Sequence, residues 1–404
     1  MKILLVNKFH YIKGGSETYY FGLADMLRKQ GHEVIFFSMK DEKNVPCEQE
    51  KYFAESVDFN QKMNPVKLVK ASLKMLYSLE AKKKFEQLLI DEKPDIIHLN
   101  IFQSQLTGSI VDVAYKHRIP MVYTAHDLKS VCPNYQMLNH GDICEKCIHG
   151  NYTYCAKTGC MKDSKLKSIL ATLEAYVYKW RKTYQKLDLI ITPSAFYKRK
   201  IEEAGIAKCP VVHMTNFLPE GTEYNVSEKP GEYFLYFGRI SREKGILTLV
   251  RAYAEAKVEK PLYIVGTGPI EEQVRQLIEE LRMSDKIKML GFKSGNELKE
   301  IVANSLCVCL PSEWYENGPY SIMEAQAVGK SVIVSSNGGL PELVEVGVTG
   351  YIVRPKDVED LKEKMELCEK KKDWDLKKVI ECAKTKYNPE KYADELIQMY
   401  LIYV

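Results

Sequence analysis

Residues 306–351 read LCVCLPSEWYENGPYSIMEAQAVGKSVIVSSNGGLPELVEVGVTGY, and this stretch decides the fold. Residues 306–310 form an apolar run closed by Pro311, the pattern of a buried strand. A turn-rich loop follows. Gly318-Pro319 predicts a helix start, with Pro at the first helical position, where its missing N–H costs nothing. Gly329 predicts the helix end, and residues 331–335 read as the next strand. Strand, loop, helix and strand make one βαβ unit, with the loop at the carboxyl end of its first strand. Open α/β sheets bind ligands at such ends.

Two carboxylates mark the loop. Glu316 precedes the helix and Glu324 stands eight positions later. Apolar or small neighbours (Ile322, Met323, Ala325, Ala327, Val328) predict a mostly buried helix around Glu324. A buried carboxylate needs hydrogen-bond partners, and the vicinal hydroxyls of a ribose or hexose supply them. The free N–H groups of Tyr320, Ser321 and Ile322 suit an anionic or hydroxyl-rich ligand. A second reading stays open, with Glu324 paired to a core Lys or Arg and Glu316 solvated.

The run E-N-G-P-Y-S-I-M-E-A-Q-A-V-G-K-S-V-I-V-S, followed by GGLPELV and GVTGYIV, resembles the E-x7-E signature of family 4 of the retaining glycosyltransferases, which have the GT-B fold. The resemblance implies that Glu316 contacts the donor sugar and Glu324 the nucleotide ribose. It places Asn317 at the donor too, with loop amides over Gly318, Pro319, Tyr320 and Ser321 on sugar or phosphate oxygens. The implied fold class is α/β: two Rossmann-like, doubly wound domains facing across a cleft. An acceptor domain is expected over 1–215 and a nucleotide-sugar domain over 216–386. A C-terminal helix over 387–404 would cross back to the first domain.

A chain of 404 residues suffices for two or three domains. Its 28% charged and 45% apolar residues are those of a globular protein, and a net charge of +4 does not call for nucleic acid. No apolar run approaches the roughly 18 residues of a membrane span. MKILLVNKF is too short and too soon polar for a signal peptide, so a cytoplasmic location is expected. The eleven cysteines are then thiols or metal ligands rather than disulfides.

The N-terminal half alternates apolar runs over 3–6, 34–38, 95–99, 121–124 and 189–192 with helical patterns, predicting a parallel sheet. Gly14 and Gly15 follow the first strand and open a helix; glycine permits close approach, and a helix N-terminus favours phosphate. A Gly-Gly pair alone is usually a turn, but the resemblance makes it the glycine loop over the donor diphosphate. His126-Asp127 follows the strand over 121–124. A lone His there is more often structural. The resemblance assigns His126 a hydrogen bond to the donor sugar near the reacting carbon, with Asp127 orienting the imidazole or the acceptor.

Five cysteines, Cys132, Cys144, Cys147, Cys155 and Cys160, crowd residues 132–160. The spacing C-x2-C-x7-C-x4-C from Cys144 to Cys160 suits a structural Zn²⁺ held by four thiolates. Five reduced thiols in a loop is the other reading, and Cys132 is expected to be a buried thiol near His126. Two basic amphipathic helices are also predicted. Residues 66–79 put Val66, Val69, Leu73 and Leu76 on one face; residues 166–187 repeat apolar residues at 166, 169, 170, 173, 177, 180 and 184. These are either solvated charged faces or docking faces for an anionic membrane, on the inner side of the plasma membrane.

Residues 211–219 read as the link between the halves. A strand over 233–237 then runs into Gly238-Arg239-Ile240-Ser241-Arg242-Glu243-Lys244-Gly245. Arg239 and Lys244 suit a diphosphate, a planar fork beside a compact charge; surface charges at a helix start are the alternative. The G-R-x4-K-G pattern resembles the same family, where the pair neutralises the leaving nucleoside diphosphate. Gly266-Thr267-Gly268-Pro269 lacks the third glycine of a dinucleotide fingerprint. The resemblance puts the nucleobase at Phe292 and Lys293. Asp373-Trp374-Asp375 matches a D-x-D metal motif but sits among lysines and reads as surface.

The expected activity is retaining transfer of a sugar from a nucleoside diphosphate, with a UDP-sugar as the expected donor. The acceptor is a hydroxyl of a saccharide or lipid-linked saccharide in surface polysaccharide synthesis. No carboxylate is placed as a nucleophile, so front-face displacement with no catalytic cofactor is expected, carried by His126, Glu316, Arg239 and Lys244. A sugar-nucleotide epimerase on this fold and a non-catalytic, zinc-stapled adaptor stay open.

Overall fold

The computed structural model describes residues 1–57, 65–219, 231–371 and 374–404, except for the side chains of 65–68. Asp373 of the D-x-D match, the Val66 side chain of the first amphipathic face and most of the stretch after residue 219 lie outside what is described.

Short runs of Val, Ile, Leu and Phe without alternation form strands buried on both faces, as parallel sheets require. In chain order these are β1 (Lys2–Val6), β2 (Glu33–Phe37), β3 (Ile96–Leu99) and β4 (Met121–Thr124). Two-residue pieces β5 (Leu138–Asn139) and β6 (Asp142–Ile143) follow, then β7 (Leu189–Thr192) and β8 (Val211–His213). The second series is β9 (Phe234–Phe237), β10 (Leu262–Val265), β11 (Ile287–Gly291), β12 (Cys307–Leu310), β13 (Ser331–Ser335) and β14 (Gly350–Val353). The first sheet has the order β2-β1-β3-β4-β7-β8 and the second β11-β10-β9-β12-β13-β14. Neighbours are parallel throughout, with registers such as Leu4↔Ile97 and Val308↔Leu235. Strand order therefore reverses between β1 and β3 in one sheet and between β9 and β12 in the other. These switch points open crevices at the strands' carboxyl ends.

The chain divides into two units. One holds Met1–His140, Cys144–Pro219 and Pro389–Val404; the other holds Gly141–Ile143 and Glu220–Asn388. The C-terminal helix, Pro389–Leu401, docks within the first through a buried polar network. Tyr392 and Tyr19 hydroxyls meet at 2.7 Å, and Tyr19 meets Thr124 Oγ1 at 3.2 Å. Thr124 also meets His98 Nε2 at 2.7 Å, and His98 Nδ1 bonds the Tyr400 hydroxyl. No helix among the described residues is long and apolar enough to cross a membrane.

Several expectations change. Residues 211–213 are not linker but an edge strand, β8, whose Val211 and Val212 pair with Ile190 and Ile191. The helix expected over 166–187 stops at Trp180, because Lys182 turns left-handed (φ +53°) and a short 3₁₀ turn then buries Thr183 and Tyr184. Its buried side is also reversed: Ser168, Ala171, Thr172, Glu174 and Tyr178 face the core, while Leu166, Ile169 and Leu173 are exposed. The other amphipathic helix, Pro65–Leu76, ends short of residue 79, since Ser78 caps the next helix by accepting from the Ala81 N–H at 3.1 Å. Pro319 is the N-cap of helix Tyr320–Ala327 rather than its first residue. Strand β14 escaped the sequence reading because GYIV is too short to show a period.

Buried histidines make the first unit acid-sensitive. His10 is enclosed by Tyr20, Phe21, Phe36 and Phe53, and His98 lies within the network above. Burial depresses their pKa values from 6.5 to about 4 and about 3. Between pH 6.5 and those values the unfolded chain binds more protons, so stability is full above pH 6.5 and falls on acidification. Near pH 5 each costs about 2 kcal/mol. Urea midpoints followed by circular dichroism should drop between about pH 7.5 and 5, and His10→Phe should lessen the drop. Equal slopes in both proteins would refute this origin.

Candidate functional site

The crevice between β9 and β12 gathers the sequence-predicted donor residues of the second unit. The loop after β9 carries Arg239 and Lys244, and the loop after β12 carries Glu316. Lys244 Nζ lies 2.7 Å from Glu316 Oε1, and Ser312 Oγ donates to the same oxygen at 2.6 Å. Glu316 is only 4% exposed, so it is not the solvated loop residue of the alternative reading. A carboxylate this enclosed is tenable because a cation and a hydroxyl both satisfy it. Arg239 is exposed and makes no ion pair among the described residues, and the Tyr236 hydroxyl fixes its backbone by donating to the Arg239 carbonyl at 2.6 Å. The Lys244 ammonium also sits 5.3 Å from the Trp314 ring centroid. Beside this group, the Trp314 Nε1–H and the Ser241 hydroxyl are enclosed without a partner among the described residues. A buried donor left unpaired costs about 1–3 kcal/mol unless water or another group meets it.

Glycines hold the loops together. Gly338 has φ +67°, and a Cβ there would lie 2.2 Å from the Glu316 carbonyl oxygen, which also accepts from the Gly339 N–H at 2.7 Å. Gly266 (φ +133°) would put a Cβ 1.9 Å from the Gly238 carbonyl, and Gly268 one 2.0 Å from the Ile240 carbonyl, so the glycines after β10 serve loop-on-loop packing at Gly238 and Ile240. No dinucleotide fingerprint is needed to explain them.

Asn317, Gly318, Pro319 and Ser321 are half-buried and Tyr320 is buried where the loop enters helix Tyr320–Ala327. Glu324 is half-buried, not enclosed as expected. The helix's buried polar residue is Gln326, which the sequence reading passed over; it donates to the Leu343 carbonyl at 2.8 Å and accepts from the Tyr387 hydroxyl at 2.6 Å. Beyond β11, Phe292 is exposed and Lys293 pairs with Glu297.

In the first unit, Gly14 and Gly15 lie exposed at the N-terminus of helix Gly15–Lys29. Gly14 is extended (φ −170°), and a Cβ there would make only an ordinary contact with Glu17, so the fold itself does not demand glycine. His126 follows β4. Its Nε2–H donates to Asn100 Oδ1 at 2.9 Å, and its ring meets Tyr19 edge-on at 4.8 Å between centroids. Burial depresses its pKa to about 3, so the imidazole is neutral at ordinary pH. Asp127 accepts from the Lys129 N–H at 2.9 Å, and burial raises its carboxyl pKa. Lys129 in turn forms a buried ion pair with Glu174 at 2.9 Å, a partnership between distant elements that no motif announced.

Cys147, Cys155 and Tyr152 form a small apolar cluster, with Cys160, Met161, Ala175 and Tyr176 packed on it. Cys155 Sγ donates to the Ser168 carbonyl, and Cys132 is a buried thiol whose pKa burial raises to about 12. Among the described residues no three His, Cys, Asp or Glu side chains are placed to hold a metal ion. A zinc shell needs four sulfurs about 2.3 Å from one point.

Known proteins share this architecture. The family model described as Glycosyltransferase Family 4 matches residues 13–219, and that described as Glycosyl transferases group 1 matches residues 222–396. WcaL of Escherichia coli strain K12, named as a colanic acid biosynthesis glycosyltransferase, is 26% identical over 228 residues, covering 53% of this chain and 55% of that one. The chain thus spans about half the length of the WcaL relatives it matches. A 42.6 kDa protein of the Klebsiella pneumoniae cps region, uncharacterized by name, is 23% identical over 376 residues, with coverage of 89% and 91%. Among solved structures, sucrose-phosphate synthase from Thermosynechococcus elongatus superposes with a TM-score of 0.71 at 20% identity, covering 99% of this chain and 98% of that one. Anabaena HepE in complex with UDP gives 0.68 at 18% identity, covering 99% of each chain. These likenesses show the GT-B fold of two Rossmann-like units.

Proposed function

We propose that this protein, which belongs to glycosyltransferase family 4, transfers a sugar from a nucleoside diphosphate to an acceptor hydroxyl with retention at the anomeric carbon. The observation that carries the reading is the enclosed Lys244–Glu316 pair, on the same loop as an exposed Arg239 that makes no ion pair among the described residues, at the switch point of a parallel sheet. HepE, a structural neighbour, was crystallised with UDP and with UDP-glucose, which supports a UDP-sugar as donor here. Relatives named for colanic acid and amylovoran biosynthesis support a saccharide acceptor in bacterial polysaccharide synthesis, and we take it to be lipid-linked.

In this reading Lys244 and Glu316 neutralise each other until donor arrives. The diphosphate then draws the ammonium and the guanidinium of Arg239, while sugar hydroxyls donate to the Glu316 carboxylate. In front-face displacement the acceptor oxygen bonds to the anomeric carbon as the bond to the diphosphate oxygen breaks on the same face. The acceptor's proton passes to that departing oxygen. Charge grows on the diphosphate in this step, so fixed cations lower the barrier. The chemistry needs no metal because two side-chain cations take up that charge. His126, being neutral, contributes a hydrogen bond to the donor sugar rather than a charge.

Arg239→Ala and Lys244→Ala should each lose about 1.5–3 kcal/mol of a charge-assisted bond, or roughly ten- to a hundredfold in kcat. Because Lys244 and Glu316 bond each other, Lys244→Ala with Glu316→Gln should cost less than the product of the single effects. Multiplicative effects, or unchanged kinetics, would remove the pair from the site. Glu324→Gln should weaken UDP binding and leave kcat nearly intact, since a ribose contact is made in ground and transition states alike. Donor conversion with no acceptor present would instead identify an epimerase. Zinc at Cys144, Cys147, Cys155 and Cys160 is a separate proposal from their spacing. On it, protein made without added metal carries about one equivalent by elemental analysis, released by Cys144→Ser with Cys147→Ser. Metal-free protein with titratable thiols would overturn that proposal.

A further inference from the structure

Two helices of the first unit point their apolar side chains away from the core. Helix Lys165–Trp180 buries the small and polar face described above and leaves Leu166 64%, Ile169 42% and Leu173 46% exposed. In helix Pro65–Leu76, Val69 and Leu73 are 58% and 60% exposed. Amphipathic helices ordinarily do the reverse, and apolar surface left in water on this scale marks a binding site. All five side chains line one cleft of about 1530 Å³. That exceeds the roughly 300–1,000 Å³ of a pocket for a small metabolite. The cleft's other wall comes from the carboxyl ends of the first sheet, with Lys8 after β1, Gln103 after β3 and Asp127 after β4.

The cleft is cationic. Seven lysines line it against four carboxylates, Asp41, Glu42, Glu50 and Asp127. Lys40 and Lys129 are held by Glu55 and Glu174, outside the lining. Lys8, Lys13 and Lys167 make no ion pair among the described residues. Lys8 and Lys13 both approach the Phe9 ring, at 5.2 and 3.9 Å from its centroid. Burial, and then the neighbouring Lys13 charge, push the Lys8 pKa down to about 8, a cost that a bound anion would offset.

We propose that this cleft binds a lipid phosphate, with its hydrocarbon chain against Leu73, Ile169 and Leu173 and its phosphate on Lys8 and Lys13. The proposal rests on the lipid-linked acceptor read above and gives that acceptor's lipid a seat. A concave wall of opposed apolar side chains suits a single chain rather than a bilayer face. Asp127 lines the same cleft next to His126, so a sugar carried on the phosphate would lie beside the residue assigned to the donor.

Equilibrium dialysis of the whole protein with farnesyl phosphate, below its micellar concentration, tests this. Saturable binding is expected, at least tenfold tighter than that of farnesol or inorganic phosphate. Leu73→Asp with Ile169→Asp, and separately Lys13→Glu with Lys167→Glu, should each weaken it at least tenfold. UDP affinity and circular dichroism should be unchanged in both; the lysine pair is exposed, so its replacement does not endanger folding. No saturable binding, binding indifferent to both variants, or association only with phosphatidylglycerol vesicles would overturn the site. Wild type that takes farnesyl phosphate but not UDP would keep the site and sink the transferase reading; the converse would sink this site alone.

Discussion

The ion pair between Lys244 and Glu316 is the constraint that the second unit is built around. Burying a carboxylate costs several kcal/mol unless a cation and hydrogen bonds meet it, so three loops have to converge. The loop after β9 brings the ammonium, and the loop after β12 brings the carboxylate and the Ser312 hydroxyl. The loop after β13 brings Gly338 and Gly339 against the Glu316 backbone, and Ser335 and Asn337 donate to the Ser312 carbonyl. Parallel strands make this convergence cheap, because every one of these loops leaves the sheet at the same edge. The result is a carboxylate and a cation held against each other at the carboxyl edge of the sheet.

The first unit solves a related problem with neutral groups. Thr124 bonds with Tyr19 and His98, which are tied to Tyr392 and Tyr400 of the C-terminal helix. The end of the chain thereby props the strand that presents His126 two residues later. Satisfied networks of this kind are rigid, and each buried imidazole in them stays neutral because a charge there would have no partner. The same burial that fixes His126 as a hydrogen-bonding group makes the unit sensitive to acid.

Polar and apolar faces are not distributed as a simple core would have them. Helix Lys165–Trp180 uses its small face, with Glu174 bonded to Lys129 and Ser104, to pack inward, and gives its leucines to a cleft. That arrangement leaves Leu166, Ile169 and Leu173 42–64% exposed and forgoes part of the roughly 1.5–3 kcal/mol that full burial of each would contribute. A chain that leaves such stabilisation unused keeps the surface for something else.

The strands, their parallel pairing and the loops at their carboxyl ends were legible from local pattern. Continuous Val/Ile/Leu runs between helical segments admit little else, and E-N-G-P-Y-S-I-M-E and G-R-x4-K-G carry their chemistry at fixed spacing. The tertiary structure decided matters of partnership. It paired Lys244 with Glu316, chose Gln326 rather than Glu324 as the enclosed polar group, turned residues 211–213 into a strand, and packed Cys147, Cys155 and Cys160 into one apolar cluster. It also decided which face of each amphipathic helix meets the core. Periodicity reports that a helix has two faces, but the side that is buried depends on what the rest of the chain brings against it, and a buried charge waits on a partner that can stand seventy residues away.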